Sequence, residues 1–421
     1  MKKSLALLLA MLMVLSMASI VTAEETVTVK WWAFPTFAQP DGAPAGTYEQ
    51  SVIEAFQAKY PNIKVELETI DFQSGPEKLT NAILAGTGPD VIFDAPGRLV
   101  EYGKNGKMVN LNDLFTEDFK KDVNNDALIA ACGDGTNFWM YPISTSPFYM
   151  GLNKKQFEES GAIEFVNLEG DRTWTTENFL KALDKLHEAN FKGGSVYCGG
   201  QGGDQGTRAL VSNLFGATIA NEEKNAYTIN SAEGKEALEL IKKLADEGKL
   251  EKGVDIVAGD ELKLFQQGIL SMTFCWGTSA AKNNKSDEFE AISVPFPSND
   301  GVPALEYLVN GFGIVDNKDE KRAEAAKTLV KFICDDEEWG VKNVLQTGAF
   351  PVRTSYGNLY EGNAEYELLA SFTKYYAPYY NTMDGFANMR KEWWGMLQAI
   401  LTGDKTVETA LADYDAAVAI K

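Results

Sequence analysis

The sequence predicts an α/β protein made of two lobes with no flexible linker between them. Three observations carry that expectation. Strand and helix signals alternate regularly from residue 26 to residue 95. With 421 residues, the chain exceeds one ordinary domain. No Pro- or Ser-rich tract, low-complexity run or fixed-period repeat interrupts it. Hydrophobic residues at 45% and charged residues at 24% are the proportions of an ordinary folded chain, neither disordered nor fibrous.

The elements follow in order. Lys2 and Lys3 precede an apolar run from Leu5 to Val21, and Val21-Thr22-Ala23 offers small residues before the acidic Glu24. That order predicts a secretory signal peptide over 1–23, removed on export. No later apolar stretch is long enough to span a membrane. Thr26 to Trp32 is β-branched and aromatic, as a strand should be. Thr47-Tyr48-Glu49-Gln50 matches a capping box, with Val52, Ile53, Phe56 and Tyr60 at helical spacing and Pro61 as a stop. Ile63, Val65 and Leu67 alternate as a strand, and Leu79, Ala82 and Ile83 form a second helical stripe. Asp90 to Ala95 is a nearly continuous apolar run, as in a strand covered on both faces.

This alternation implies a parallel sheet with right-handed crossovers. Ligands of such sheets lie beyond the carboxyl ends of the strands. The segments to inspect are therefore Ala33 to Phe37, Asp71-Phe72-Gln73 and Asp94 to Arg98. Further on, helices are expected over Trp174 to Glu188, from a Ser231 cap to Gly248, over Asp319 to Cys334, within Tyr366 to Leu401 and over Val407 to Val418. Ile269 to Phe274 reads as a strand, and the glycine-rich tract Gly193 to Gly206 as a loop.

Several kinds of chemistry are disfavoured. The 60 acidic and 39 basic residues give a formal charge of −21, and such a surface repels phosphate backbones, so nucleic acid is not an expected partner. One histidine and four scattered cysteines cannot build the common zinc sites. No metal or cofactor is expected. Cys132, Cys198, Cys275 and Cys334 are spaced without a CxxC and read as buried free thiols. None precedes residue 132, so the cysteine that carries a lipid anchor in exported lipoproteins is absent after the apolar run. The phosphate loop, the dinucleotide fingerprint, the nucleophile elbow and the zinc-protease helix are all missing. His187 falls in a helix rich in Lys and Glu, where a solvated side chain is expected. Carboxylate pairs are abundant enough that a glycosidase cannot be dismissed by counting.

Aromatic residues stand out by position. Trp31, Trp32, Phe34 and Phe37 close the first strand and fill its loop; Phe138, Trp139 and Tyr141 precede Pro142; Trp276 follows the Ile269 to Phe274 strand; Trp393 and Trp394 lie near the carboxyl end. Aromatic faces stack on the C–H face of a pyranose, and neighbouring polar groups bond its hydroxyls. The same residues could also fill the core. Loop placement favours a binding role for Trp32 and Phe34.

Asn81 to Phe93 (NAILAGTGPDVIF) resembles the segment that runs into the third strand of family 1 extracellular solute-binding proteins, the maltose-binding-protein-like receptors of ATP-driven importers. The likeness continues through Arg98, Tyr102 and Gly106, Tyr141-Pro142-Ile143 with Asn153-Lys154, Thr173-Trp174, Gly311 to Val315, Phe350 to Arg353 and Gly403 to Glu408. Each motif is weak alone. Together they follow the family's order over nearly the whole mature chain.

The resemblance implies a two-lobe, hinged periplasmic-binding-protein fold of type II with a mixed sheet and discontinuous lobes. The first lobe is expected over 24–142 and 305–350, the second over 143–304 and 351–421. It implies a monomeric, non-enzymatic receptor, periplasmic or extracellular, that passes a carbohydrate to the membrane permease subunits of an ABC importer. Carried over position by position, the ligand contacts fall on Trp32 and Phe34, on Asp94, Gly97 and Arg98, on Ser144 and Ser146, and near Trp276 and Thr278. Arg390 stands where relatives place a stacking aromatic, and Trp394 completes the candidates. Maltose-binding relatives carry acids where Gly97 and Ser146 stand here. These departures point away from maltose, to another glycan or to an anionic solute such as a polyol phosphate held by Arg98 or Arg390. An exported glycoside-active enzyme is the remaining alternative.

Overall fold

The computed structural model describes residues 25–200, 202–283 and 286–420, and the expected signal peptide lies outside them. Strand β1 (Val27–Ala33) runs parallel to β2 (Ile63–Thr69) and to β3 (Val91–Asp94). Helix α1 (Thr47–Lys59) and helix α2 (Gly75–Leu84) make the crossovers, as the alternating pattern requires. β1 lies between its two partners, so the loops after Ala33, Thr69 and Asp94 emerge along one edge. The strand is long and strongly apolar, and Val29, Trp31 and Ala33 are buried. Helix α3 (Pro96–Lys104) leaves β3 directly, with proline at its start, where a missing N–H costs nothing.

The sheet is not purely parallel. β9 (Tyr307–Ile314) enters antiparallel to β3, pairing Phe93 with Phe312. The mixed sheet implied by the family likeness is therefore present, and the parallel reading holds only for β1 to β3. The 13-residue strand β4 (Tyr141–Asn153) ties the molecule together. Its first half pairs with β9 and with β10 (Phe350–Pro351), and its second half with β7 (Met272–Gly277) and β8 (Ala291–Val294).

Buried side chains form two clusters. The first draws on residues 29–143 and 307–352 and also includes Tyr379; the second draws on 149–305 and 369–418. β4 crosses between them, and the chain returns just before β9. These clusters are the cores of the first and second lobes.

Four local expectations need correction. Thr47 is not a capping residue: Gly46 holds that position at φ 88°, and the Thr47 hydroxyl donates to the Pro44 carbonyl at 2.8 Å. The strand expected at Ile269 begins three residues later, because Gly268 turns the chain at φ 68° and leaves Ile269 exposed. The helix expected from Trp174 starts at Thr176, since the Thr175 side chain accepts from the Asn178 N–H and caps it. The tract 193–206 is not all loop. It contains β5 (Ser195–Tyr197), paired in parallel with β6 (Glu251–Gly253), and the start of a further helix, α4 (Asp204–Phe215). Ser231 does cap its helix, accepting from the Gly234 N–H at 3.1 Å. All four cysteines are unpaired.

Candidate functional site

At the carboxyl edge of the first-lobe strands, Asp94 closes β3 and Arg98 stands one turn into α3. The Arg98 Nε donates to Asp94 Oδ2 at 2.6 Å and its Nη2 to Oδ1 at 2.8 Å. The loop after β1 delivers Phe34, whose ring lies 5.6 Å from the Arg98 guanidinium. Gly75 is required beneath it, because a Cβ there would come within 2.8 Å of the Phe34 ring. Phe34 is also stacked on Phe72 from the loop after β2, at 4.9 Å between centroids and 6° between planes. Trp32 is 9% exposed, and the Lys78 ammonium sits over its ring at 4.9 Å while also pairing with Glu68.

The second lobe contributes a buried ionic chain. Helix α4 presents Asp204 and Arg208 one turn apart on a helix buried almost all round. Helix α5 (Phe386–Thr402) brings Arg390 to Asp204. Arg208 bonds Asp204, both oxygens of Glu306 at 3.2 Å, and the Tyr380 hydroxyl at 2.6 Å; that hydroxyl in turn donates to Glu306. Burial acts to raise the Asp204 pKa, but Arg208 and Arg390 outweigh it and hold this carboxyl below the usual range. Burial likewise works against the charge on Arg98, and Asp94 overcomes it, with a smaller contribution from Asp204 of the other lobe.

The two lobes meet along α3 and the start of α5. Gly97 lies against Phe386 and the Asn381 carbonyl, and a Cβ at Gly97 would come within 2.3 Å of the Phe386 ring. At the far end of α3, Lys104 reaches Asp384 at 2.7 Å and the Thr382 carbonyl at 3.1 Å. Beside this seam lies a cavity of about 360 Å³ between Gly133 to Gly135 of the first lobe and Asn225 and Met383 of the second.

The structure thus brings together Phe34, Asp94 and Arg98, and places Arg390 on the facing lobe. Trp32 flanks this group with its ring already covered. Ser144 is buried in β4 beside Asn310, and Ser146, next on the same face, is half-buried opposite Leu308. Trp276 stands apart. It is 1% exposed, its Nε1 donates to Ser293 Oγ at 3.2 Å, and its ring packs against Phe265. That is a core position under β4 and not an open binding face. Trp394 follows Arg390 by one helical turn; its Nε1, like Thr278 Oγ1, is buried without a hydrogen-bond partner among the described residues.

Sequence reasoning missed Asp204, Arg208, Glu306 and Tyr380. The only signal for the first two was an acid and an arginine four residues apart, the acid inside the tract read as loop and the arginine just beyond it. Nothing local linked either residue to Glu306, nearly a hundred positions away.

The arrangement is charge-balanced, three arginines against Asp94, Asp204 and Glu306. Both arginines proposed for an anion already hold carboxylates in paired contacts. A cluster of this kind offers neutral hydrogen-bonding capacity, not a net positive field.

Residues 39–338 match the family model of the bacterial extracellular solute-binding proteins. A chain from Brucella abortus (strain 2308), named as a binding protein, is 27% identical over 382 residues, covering 87% of this chain and 85% of its own. The diacetylchitobiose binding protein of Streptomyces coelicolor is 23% identical over 362 residues, covering 83% and 78%. Among solved structures, the GacH receptor of Streptomyces glaucescens, also studied in complex with acarbose, superposes with a TM-score of 0.77 at 16% identity, over 94% of this chain and 98% of that one. These likenesses extend over both lobes.

Proposed function

The chain belongs to the bacterial extracellular solute-binding proteins, and on that premise we propose that it captures a neutral mono- or oligosaccharide between its lobes for an ABC importer. The observation that carries the reading is the confrontation of Asp94–Arg98 with Asp204–Arg390 across the seam, beside the Phe34 and Phe72 rings. Carboxylates accept from sugar hydroxyls, guanidinium groups donate to them, and ring faces cover the C–H surface. A relative named for diacetylchitobiose and a similarly folded receptor studied in complex with acarbose support the same ligand class.

The lobes proposed to move as bodies are 24–142 with 305–350 and 143–304 with 351–421. A ligand touching both favours closure by its differential affinity, and a permease reads the closed state. Trp32, Phe34, Asp94, Arg98, Ser144, Ser146, Arg390 and Trp394 remain proposed ligand neighbours, whereas Trp276 is better placed to support the fold. Binding without covalent chemistry, a monomeric state and export through cleavage after residue 23 belong to the same proposal. Among the described residues no helix is long and apolar enough to cross a membrane.

Thermal shift and intrinsic tryptophan fluorescence test the reading with maltotriose, N,N′-diacetylchitobiose, cellotriose, xylotriose and an anionic polyol phosphate. A neutral sugar at a hundredfold excess over its Kd should stabilise the protein by about 2.7 kcal/mol, and prolonged incubation should return it intact. Binding of the phosphate alone would overturn the carbohydrate assignment, and cleavage of the sugar would overturn the non-enzymatic one.

A further inference from the structure

Phe72 is the only aromatic among the large apolar side chains left exposed in the described residues, at 49%. Exposure of an isolated apolar side chain is ordinary. This one differs because it sits on a hydrogen-bonded turn with its ring stacked on a buried neighbour. Asp71 Oδ1 accepts from the Gln73 and Ser74 N–H groups, both at 2.7 Å, and Asp71 Oδ2 accepts from the Ser74 hydroxyl at 2.9 Å. These bonds tie down the turn on either side of the ring. The ring then lies almost parallel to Phe34, which is 1% exposed and itself neighbours Arg98. An outward aromatic, stacked on Phe34, is therefore mounted on the same edge as the Asp94–Arg98 pair.

The other aromatic candidates of this edge are occupied. Lys78 covers the Trp32 ring, and Phe34 is sandwiched into the lobe. We propose that Phe72 is the residue that stacks on the ligand, selecting a pyranose that turns an apolar C–H face toward the first lobe, with Phe34 as its backing. This rests on the carbohydrate reading above. It narrows that reading to ligands with a flat C–H face and predicts poor binding of acyclic polyols, which present no such face.

The test uses the mature protein and its Phe72→Ala, Phe72→Trp and Leu168→Ala variants. Leu168 is an exposed apolar residue of the second lobe, remote from this edge in sequence and lobe. Affinities for maltotriose, N,N′-diacetylchitobiose, cellotriose, xylotriose and ribitol are measured by titration calorimetry. Wild type should bind at least one ring sugar more tightly than ribitol. Phe72→Ala should weaken that sugar about tenfold, Phe72→Trp should restore it, and Leu168→Ala should leave it unchanged. The unliganded melting temperatures should agree to within about 2 °C, because both truncations are at the surface. An unchanged affinity in Phe72→Ala overturns the stacking role while leaving the carbohydrate reading intact, as does ribitol as the tightest ligand. Wild type that binds none of the five at 10 mM-scale concentrations, roughly the weak limit of specific binding, overturns both.

Discussion

Arg390 holds Asp204 through three contacts, its Nε reaching the two carboxylate oxygens at 3.1 and 2.9 Å and its Nη2 reaching Oδ1 at 2.7 Å. Arg208 shares the same carboxylate and also pairs with Glu306, so Asp204 is the group that links the two buried or nearly buried guanidinium charges. Asp204→Asn would put a neutral amide between them, with Arg208 left on Glu306 alone. Removing one partner of a buried ion pair costs about 3–5 kcal/mol, so the urea midpoint of the variant should fall sharply. Equilibrium unfolding followed by circular dichroism checks this. A midpoint within experimental scatter of wild type would mean that the ionic chain does not hold α4 against α5.

The same carboxylate sets an acid limit. Its folded pKa lies below its unfolded value, so its stabilisation is present above the unfolded pKa and is lost as pH falls through the folded one. Stability should therefore decline below about pH 4. That part of the acid response should be missing from Asp204→Asn in a pH series of thermal melts.

Trp276 separates core from site. Its ring is buried against Phe265, and Gly151 of β4 lies against it with no room for a Cβ. Trp276→Ala should cost about 3–5 kcal/mol through the cavity it leaves. Trp276→Phe, which keeps an aromatic ring, should bind sugar with nearly wild-type affinity. Loss of affinity in Trp276→Phe at unchanged stability would return this residue to the binding site.

What the sequence disclosed follows physical lines. The β1–α1–β2–α2–β3 succession was legible because each element repeats a local period, and each loop at a strand's end was legible because the topology fixes where it emerges. Asp94 and Arg98 were legible for that reason. Helix α4 was not, since a helix buried almost all round shows no amphipathic stripe and follows four glycines in five residues. Phe72 lay within a segment singled out for inspection, but its role depends on Lys78 covering Trp32 and on Phe34 turning inward. Side-chain competition of that kind leaves no trace in spacing. Trp276 shows the converse error, where an aromatic after a strand faces the core because β7 starts later than its apolar run suggests.

Glu261 reports on pH from a different place. It is fully buried in the second lobe, accepts from the Phe274 N–H at 3.1 Å and bonds the Thr273 hydroxyl, with no ion-pair partner among the described residues. Burial pushes its pKa from 4.5 up to about 8 against those hydrogen bonds. The folded state therefore holds a proton that the unfolded chain releases, and stability should fall as pH rises from about 4.5 to about 8. Glu261→Gln removes the ionisation and keeps the shape. It should match wild type near pH 4 and exceed it by a few kcal/mol near pH 9. Parallel pH dependence of wild type and variant in urea unfolding would show that Glu261 does not titrate in this window.

Gly97 offers the most direct handle on how the lobes meet. It stands in α3 of the first lobe, and the groups nearest its missing Cβ belong to the opposite side of the seam, Phe386 at 2.3 Å and the Asn381 carbonyl at 2.7 Å. Neither is the far end of a flexible chain, since one is a packed ring and the other is backbone. Ala at this position is a better helix former than Gly, so Gly97→Ala should not unfold the first lobe. It should instead wedge the lobes apart. The expected result is an unliganded melting temperature at or slightly above that of wild type, combined with a sugar affinity lower by about tenfold or more, the equivalent of 1.4 kcal/mol. Small-angle scattering with saturating sugar should give a larger radius of gyration than for liganded wild type. Equal affinity and equal radius would mean that the seam yields locally, and that contact between α3 and α5 plays no part in binding.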